Sequence, residues 1–217
     1  MLDLLFQNPL SFLIFTVILL SVIAVHEFSH AAAAHRLGDP TARLAGRLTI
    51  NPLSHLDPVG TILFLLAGFG WGKPVPFDPF NLKNPKKDSA VISFAGPLSN
   101  IIMAIAASFI LRLLINIAQL GFNFFLIDLL ITFIRFNLLL AVFNLIPIYP
   151  LDGFRVVAGL LPKKYYHDWL ELERYGMIFL ILLIFPFFGA SPISKIILPV
   201  MNFFLSLLLP GSIGGII

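Results

Sequence analysis

The sequence predicts an all-α polytopic membrane protein of about five to six membrane segments, with a small membrane-associated β or re-entrant region around residues 41–80. Three observations predict it. Only 12% of the 217 residues are charged and 59% are hydrophobic, with a mean hydropathy of +0.97. A soluble domain carries about 25% charged residues, so this chain has too little polar surface to stay folded in water. Several apolar runs reach or exceed the roughly 20 residues that cross a bilayer. Finally, Lys and Arg gather in a few stretches between those runs rather than being spread along the chain.

The elements follow in order. The first apolar run spans residues 9–37; Pro9 suits a helix start, and Gly38-Asp39-Pro40 is a stop. It is read as a retained helix rather than a signal peptide. No Lys or Arg precedes it, and it leads into His26, Glu27 and His30 instead of a cleavage site. Residues 42–50 alternate loosely and predict an extended strand. Residues 59–72 are apolar but short for a crossing, which suits a buried or re-entrant piece. Residues 73–88, rich in Pro, Lys and Asp, read as a loop.

Residues 89–120 form a second span, broken only at Gly96-Pro97 and by Arg112, and ended by Gly121. Residues 122–148 form a third, ended by Pro150-Leu151-Asp152-Gly153. A short apolar stretch to Leu161 and a polar stretch 162–175 follow. Residues 176–209 form the last span, interrupted at Pro186 and split in two. No internal repeat is evident, and one membrane domain over residues 1–217 is expected.

The basic residues fix an expected orientation. Arg36, Arg43, Arg47, Lys73, Lys83, Lys86 and Lys87 lie between the first and second spans, and Lys163, Lys164 and Arg174 follow the third. Positive charge stays inside, so these loops face the cytoplasm and the N-terminus faces out. The formal charge of +3 comes without a basic patch interleaved with aromatics, and nucleic-acid binding is unsupported. Cysteine is absent, so any metal is held by His, Asp or Glu.

His26-Glu27-Phe28-Ser29-His30 is the central motif. On a helix, positions i and i+4 share a face, so the two imidazoles can bind one metal ion. Zinc lowers the pKa of bound water to about 7, and Glu27 lies where it can take that proton. Three ionisable side chains inside an apolar helix are costly and usually functional; the bland alternative is a polar cluster facing a watery groove. A catalytic zinc wants a third protein ligand. Asp152 lies at the same end of the third span as His26 and His30 do of the first. The competing reading makes Asp152 a helix N-cap. His55 and Asp57 are open to three readings, as extra ligands, as partners of the ligands or as turn residues, and the turn reading with some supporting role is favoured. His35, five residues past His30, is off the metal face. Asn100 and Asn144 are intramembrane amides that either contact substrate or tie helices together. Arg112, Asp128 and Arg135 snorkel or pair.

Together, His26 through His30, Gly96-Pro97-Leu98-Ser99-Asn100 and the stretch from Asn144 to Gly153 resemble the site-2 protease family of intramembrane zinc metalloproteases, across nearly the whole chain. The resemblance implies one Zn2+ held by His26, His30 and Asp152, with Glu27 as general base. It implies that Asn144 and Asn100 contact the substrate or steady the site. It also implies a β-structure within residues 41–80 that pairs with an unwound substrate strand. No PDZ module separates the motifs and no CBS pair is recognisable, so a compact core is expected. The expected substrate is a single-span membrane protein or peptide. Two other classes compete: a divalent-metal transporter, which would show polar residues along several helices or a repeat, and an inactive scaffold, which would lack the general base.

Overall fold

The computed structural model describes residues 2–67, 70–117, 124–185 and 191–211. Its helices are α1 (Leu2–Gln7), α2 (Pro9–Arg36), α3 (Thr41–Leu44), α4 (Pro58–Ala67), α5 (Pro85–Ile117), α6 (Phe124–Asn144), α7 (Asp152–Leu160), α8 (Lys163–Glu171), α9 (Glu173–Ile184) and α10 (Pro192–Leu208).

Three of these, α2, α5 and α6, contain apolar stretches long enough to cross a membrane, and α10 is a shorter apolar helix. At 1.5 Å per residue, the 21 residues of α6 reach about 31 Å, close to the thickness of a bilayer core. Their outward faces carry Leu10, Leu13 and Val17 on α2 and Ile102, Ile105 and Phe109 on α5, all exposed. Water tolerates no such apolar surface, whereas lipid matches it.

Local sequence explains the ends of α2. Pro9 occupies the first turn, and the Asn8 side chain accepts the Ser11 N–H at 3.1 Å, satisfying a donor with no helical partner. At the other end Gly38 takes φ 104°, a conformation costly for residues with a β-carbon. The chain then folds back, with the Asp39 N–H donating to the Ala34 carbonyl at 2.9 Å.

The region around 41–80 differs from the expected β-structure. Among the described residues no strand forms. The stretch read as a strand begins as helix α3 and continues in turns, and an isolated antiparallel bridge joins Leu56 to Gly72. The Asp39 carboxylate accepts both the N–H and hydroxyl of Thr41, a local turn that competes with an extended strand. Within the 59–72 piece, residues up to Ala67 belong to the ten-residue α4 (Pro58–Ala67), too short for a crossing. The expected breaks at Gly121 and Pro186 lie outside the described residues. Gly96-Pro97 does not interrupt the second span, since Pro97 is buried inside a continuous α5.

α5 runs through the centre and packs against α2, α6 and α7. One apolar core joins Ala104, Ala107 and Leu111 of α5 to Ile131, Ile134 and Leu138 of α6 and to Ile197, Met201 and Leu205 of α10. Arg112 reaches from α5 to the Leu207 carbonyl at 2.8 Å, so an arginine expected to snorkel or pair instead caps the end of α10.

Candidate metal centre

α2 places His26 and His30 one turn apart, facing α5. Their rings meet edge to face with centroids 4.6 Å apart. Both are buried, 3% and 8% exposed. Asp152 arrives from the chain reversal between α6 and α7. There Leu151 bonds back to the Ile148 carbonyl at 2.9 Å, and the first turn of α7 lies against the end of α6. Gly153 makes that approach feasible, because a β-carbon there would overlap the Leu145 and Ile146 carbonyls. Asp152 is the first residue of α7, and that helix has no side-chain cap. Its carboxylate turns instead to the two imidazoles.

Three ligand atoms converge. His26 Nε2 and His30 Nε2 are 3.0 Å apart, and Asp152 Oδ2 is 3.2 Å from the first and 3.3 Å from the second. Tetrahedral zinc with ligands near 2.0 Å separates them by about 3.3 Å, so the spacing fits one ion. Second, Asp152 Oδ2 is buried and has no hydrogen-bond partner. Third, the other ring nitrogens are engaged: His26 Nδ1 lies 2.6 Å from Asn100 Oδ1, and His30 Nδ1 lies 2.7 Å from the Ile92 carbonyl. With the protons on Nδ1, three lone-pair-bearing atoms face one another without a donor, an arrangement that a cation between them relieves. His26, His30 and Asp152 thus form a group able to hold a metal.

A glycine and a loop complete the surroundings. Gly96 of α5 lies directly against both rings; a β-carbon would overlap His30 Nε2 and Cε1 and crowd His26 Cε1. Glu27, half-buried beside His26, accepts the Val75 N–H on Oε2 at 3.1 Å. The segment carrying Val75 is itself pinned, since Arg47 donates to the Lys73 carbonyl at 2.7 Å and to the Pro74 carbonyl at 3.2 Å.

His55, Asn144 and Asp57, also singled out from sequence, find their hydrogen-bond partners elsewhere. His55 is fully buried; its Nε2 pairs with the Thr49 carbonyl at 2.8 Å, and its carbonyl accepts the Lys73 N–H at 2.8 Å. It therefore supports the same loop as Arg47. Asn144 bonds within its own helix, to the Leu140 carbonyl at 3.0 Å. Asp57 accepts the Gly60 N–H at 2.8 Å at the start of α4. Sequence reasoning missed Asn137, fully buried on α6 and 3.0 Å from Asn100. Its signal was a second amide in the same apolar stretch as Asn144. The Ile92 carbonyl and the Val75 N–H are backbone groups and left no signal.

No family model matches the chain, and no solved structure matches it. Known proteins do. YwhC of Bacillus subtilis, named as a zinc metalloprotease, is 42% identical over 183 residues, covering 82% of this chain and 84% of YwhC. Rip2 of Mycolicibacterium smegmatis, named likewise, is 28% identical over 82% of this chain and 70% of its own length. The zinc metalloprotease MJ0392 of Methanocaldococcus jannaschii is 26% identical over 73% of this chain but only 38% of its own length. These relatives imply zinc as the metal, and with the apolar helices they make this an integral membrane protein of the metalloprotease class. The chain belongs to the site-2 protease family of zinc metalloproteases.

Proposed function

We propose that the chain is an intramembrane zinc metalloendopeptidase that hydrolyses peptide bonds of membrane-spanning substrates in regulated intramembrane proteolysis. The observation that carries this reading is the convergence of His26, His30 and Asp152 within 3.3 Å beside Glu27. In this reading residues 1–217 act as one domain, the N-terminus faces out, and the site lies toward the cytoplasm, as the distribution of Lys and Arg favours. The organism is prokaryotic, like the three relatives. α4, α9 and α10 add to the three long spans to give the five to six membrane segments.

His26, His30 and Asp152 hold the metal. Bound zinc supplies Lewis-acid polarisation of a water and of the scissile carbonyl. Glu27 takes the proton from the attacking water and passes it to the leaving amine. Its bond to the Val75 N–H keeps the carboxylate beside His26 and couples it to the Lys73–Asp78 loop. That loop is free of helix and strand among the described residues. An unwound substrate strand lies along it, and Asn144 meets the substrate backbone. The substrate must unwind because a membrane helix hides its carbonyls in its own hydrogen bonds. Asn100 and His55 steady the site, the first through His26 and the second through the loop.

The test is cleavage of a single-span model substrate by purified protein in detergent, wild type beside Glu27→Gln, with metal content measured on both. Removing a general base lowers rates about 10²- to 10⁴-fold, so the mutant is expected to keep its metal and lose cleavage to that extent. Full cleavage by Glu27→Gln refutes its role. Bound metal without cleavage of diverse substrates by the wild type refutes the protease reading and favours transport, which metal flux in liposomes then measures.

A further inference from the structure

The two metal-facing histidines have their tautomers set in different ways. His30 Nδ1 lies 2.7 Å from the Ile92 carbonyl. A carbonyl oxygen only accepts, so Nδ1 carries the proton and Nε2 keeps its lone pair. His26 Nδ1 instead faces the side-chain amide of Asn100. An amide offers an acceptor at one end and a donor at the other, so Asn100 alone decides nothing.

The decision is made on α6. Asn137 Nδ2 lies 2.9 Å from the Phe133 carbonyl, which again only accepts. This turns Asn137 Oδ1 toward Asn100, 3.0 Å away. Asn100 must answer with its Nδ2, which also points to the Val22 carbonyl at 3.4 Å. Only Asn100 Oδ1 is then left for His26, which must donate from Nδ1. Both amides are 0% exposed. Turning either over would set like atoms against each other away from solvent and leave buried groups unpaired.

We propose that Asn137 is a positioning residue: through Asn100 it fixes the tautomer of His26, so that the Nε2 lone pair faces His30 and Asp152. Asn137 bonds none of those three side chains. Its effect runs from a backbone carbonyl of α6, across α5, to a ligand on α2. Outer partners of this kind typically change metal affinity 10- to 100-fold when removed. The inference rests on the metal-binding reading of His26, and its test is read in metal-free protein, separately from proteolysis.

The experiment uses the full chain labelled with 15N-histidine, in detergent, freed of metal and at a pH alkaline enough that both rings are neutral. Ring 15N shifts report the tautomers of His26 and His30, and chelator competition then reports zinc affinity. The wild type is expected to show the proton on Nδ1 of both rings. In Asn137→Leu the Asn100 amide keeps only its long 3.4 Å contact to the Val22 carbonyl and can turn. The His26 signal should move toward the Nε2-protonated form, His30, held by Ile92, should stay, and zinc affinity should fall about 10- to 100-fold. Asn137→Asp, neutral when buried among apolar residues, can donate its hydroxyl to Phe133 and accept from Asn100. It should keep the wild-type His26 signal and near-wild-type zinc affinity. Should Asn137→Leu fail to fold, Asn137→Ser, too short to reach both partners, is read in its place. An unmoved His26 tautomer with a native His30 signal overturns the proposal, whatever happens to zinc. So does an Asn137→Asp that loses tautomer and affinity as fully as Asn137→Leu. Expected tautomer shifts in a protein that cleaves nothing would uphold this inference while refuting the protease reading.

Discussion

Gly96 and His30 are packed so closely that a single methyl on the glycine would overlap the ring nitrogen of the histidine facing Asp152. α5 therefore meets the metal-binding rings with bare backbone. As a helix residue, alanine is favoured over glycine by about 1 kcal/mol. Gly96→Ala should leave the helix intact and lower the melting temperature only modestly, the helix gain offsetting part of an overpacking cost of about 1–3 kcal/mol, while displacing both rings. Zinc affinity, read by chelator competition, is expected to fall at least about tenfold, comparable to the loss of an outer-sphere partner. Wild-type affinity in a folded Gly96→Ala would show that the rings shift aside freely.

Removal of the metal should be reversible in the wild type and not in an Asp152 variant. A chelator is expected to abolish cleavage and added zinc to restore it. Asp152→Asn replaces an anionic ligand with a neutral amide. Its loss of affinity should exceed the roughly 100-fold upper range of outer-sphere changes, and micromolar zinc should not restore its activity. Metal content by mass spectrometry, with cleavage measured on the same samples, checks both.

Arg47 is 5% exposed and binds two successive carbonyls of the loop that holds Glu27. A lysine ammonium keeps the charge but not the planar fork. Hydrogen bonds from charged groups contribute about 1.5–3 kcal/mol each. Arg47→Lys should therefore lower stability by about 2 kcal/mol and reduce kcat/KM by misplacing Val75, with zinc content unchanged. A parallel loss of zinc would mean that the loop supports the ligands as well as Glu27.

Asp39 gives the fold an acid-sensitive clasp. Burial pushes its carboxyl up, but hydrogen bonds from Thr41, Asp78 and Asn81 outweigh that and hold it below the ordinary value. The folded form thus binds this proton less readily than the unfolded chain, whose Asp titrates near 3.9. Its stabilising effect is fully present above about pH 5 and is lost as pH falls through the depressed folded value. Asp39→Asn should be less stable at neutral pH by about 2 kcal/mol. It should also lose less stability between about pH 5 and pH 3 than the wild type. Thermal melts across that range decide it; parallel acid profiles would exclude Asp39 as a source of the dependence.

The sequence by itself determined the membrane class, the three long helices, and the pairing of His26 with His30 on one helix face. These follow from composition, run length and the i, i+4 period, all local properties of the chain. Sequence also supplied both readings of Asp152, but only tertiary structure brought its carboxylate within 3.3 Å of the imidazoles, because that approach depends on the chain reversal and on Gly153 fitting against the end of α6. The strand read over residues 42–50 gave way to α3, and the Asp39 carboxylate that bonds Thr41 lies outside the alternating stretch. Asn137, Gly96, and the backbone groups of Ile92 and Val75 gained their places only when α5, α6 and the 73–78 loop closed around α2. Hydrogen bonds across helices have no period in sequence. They exist because buried polar groups need partners wherever the fold brings them.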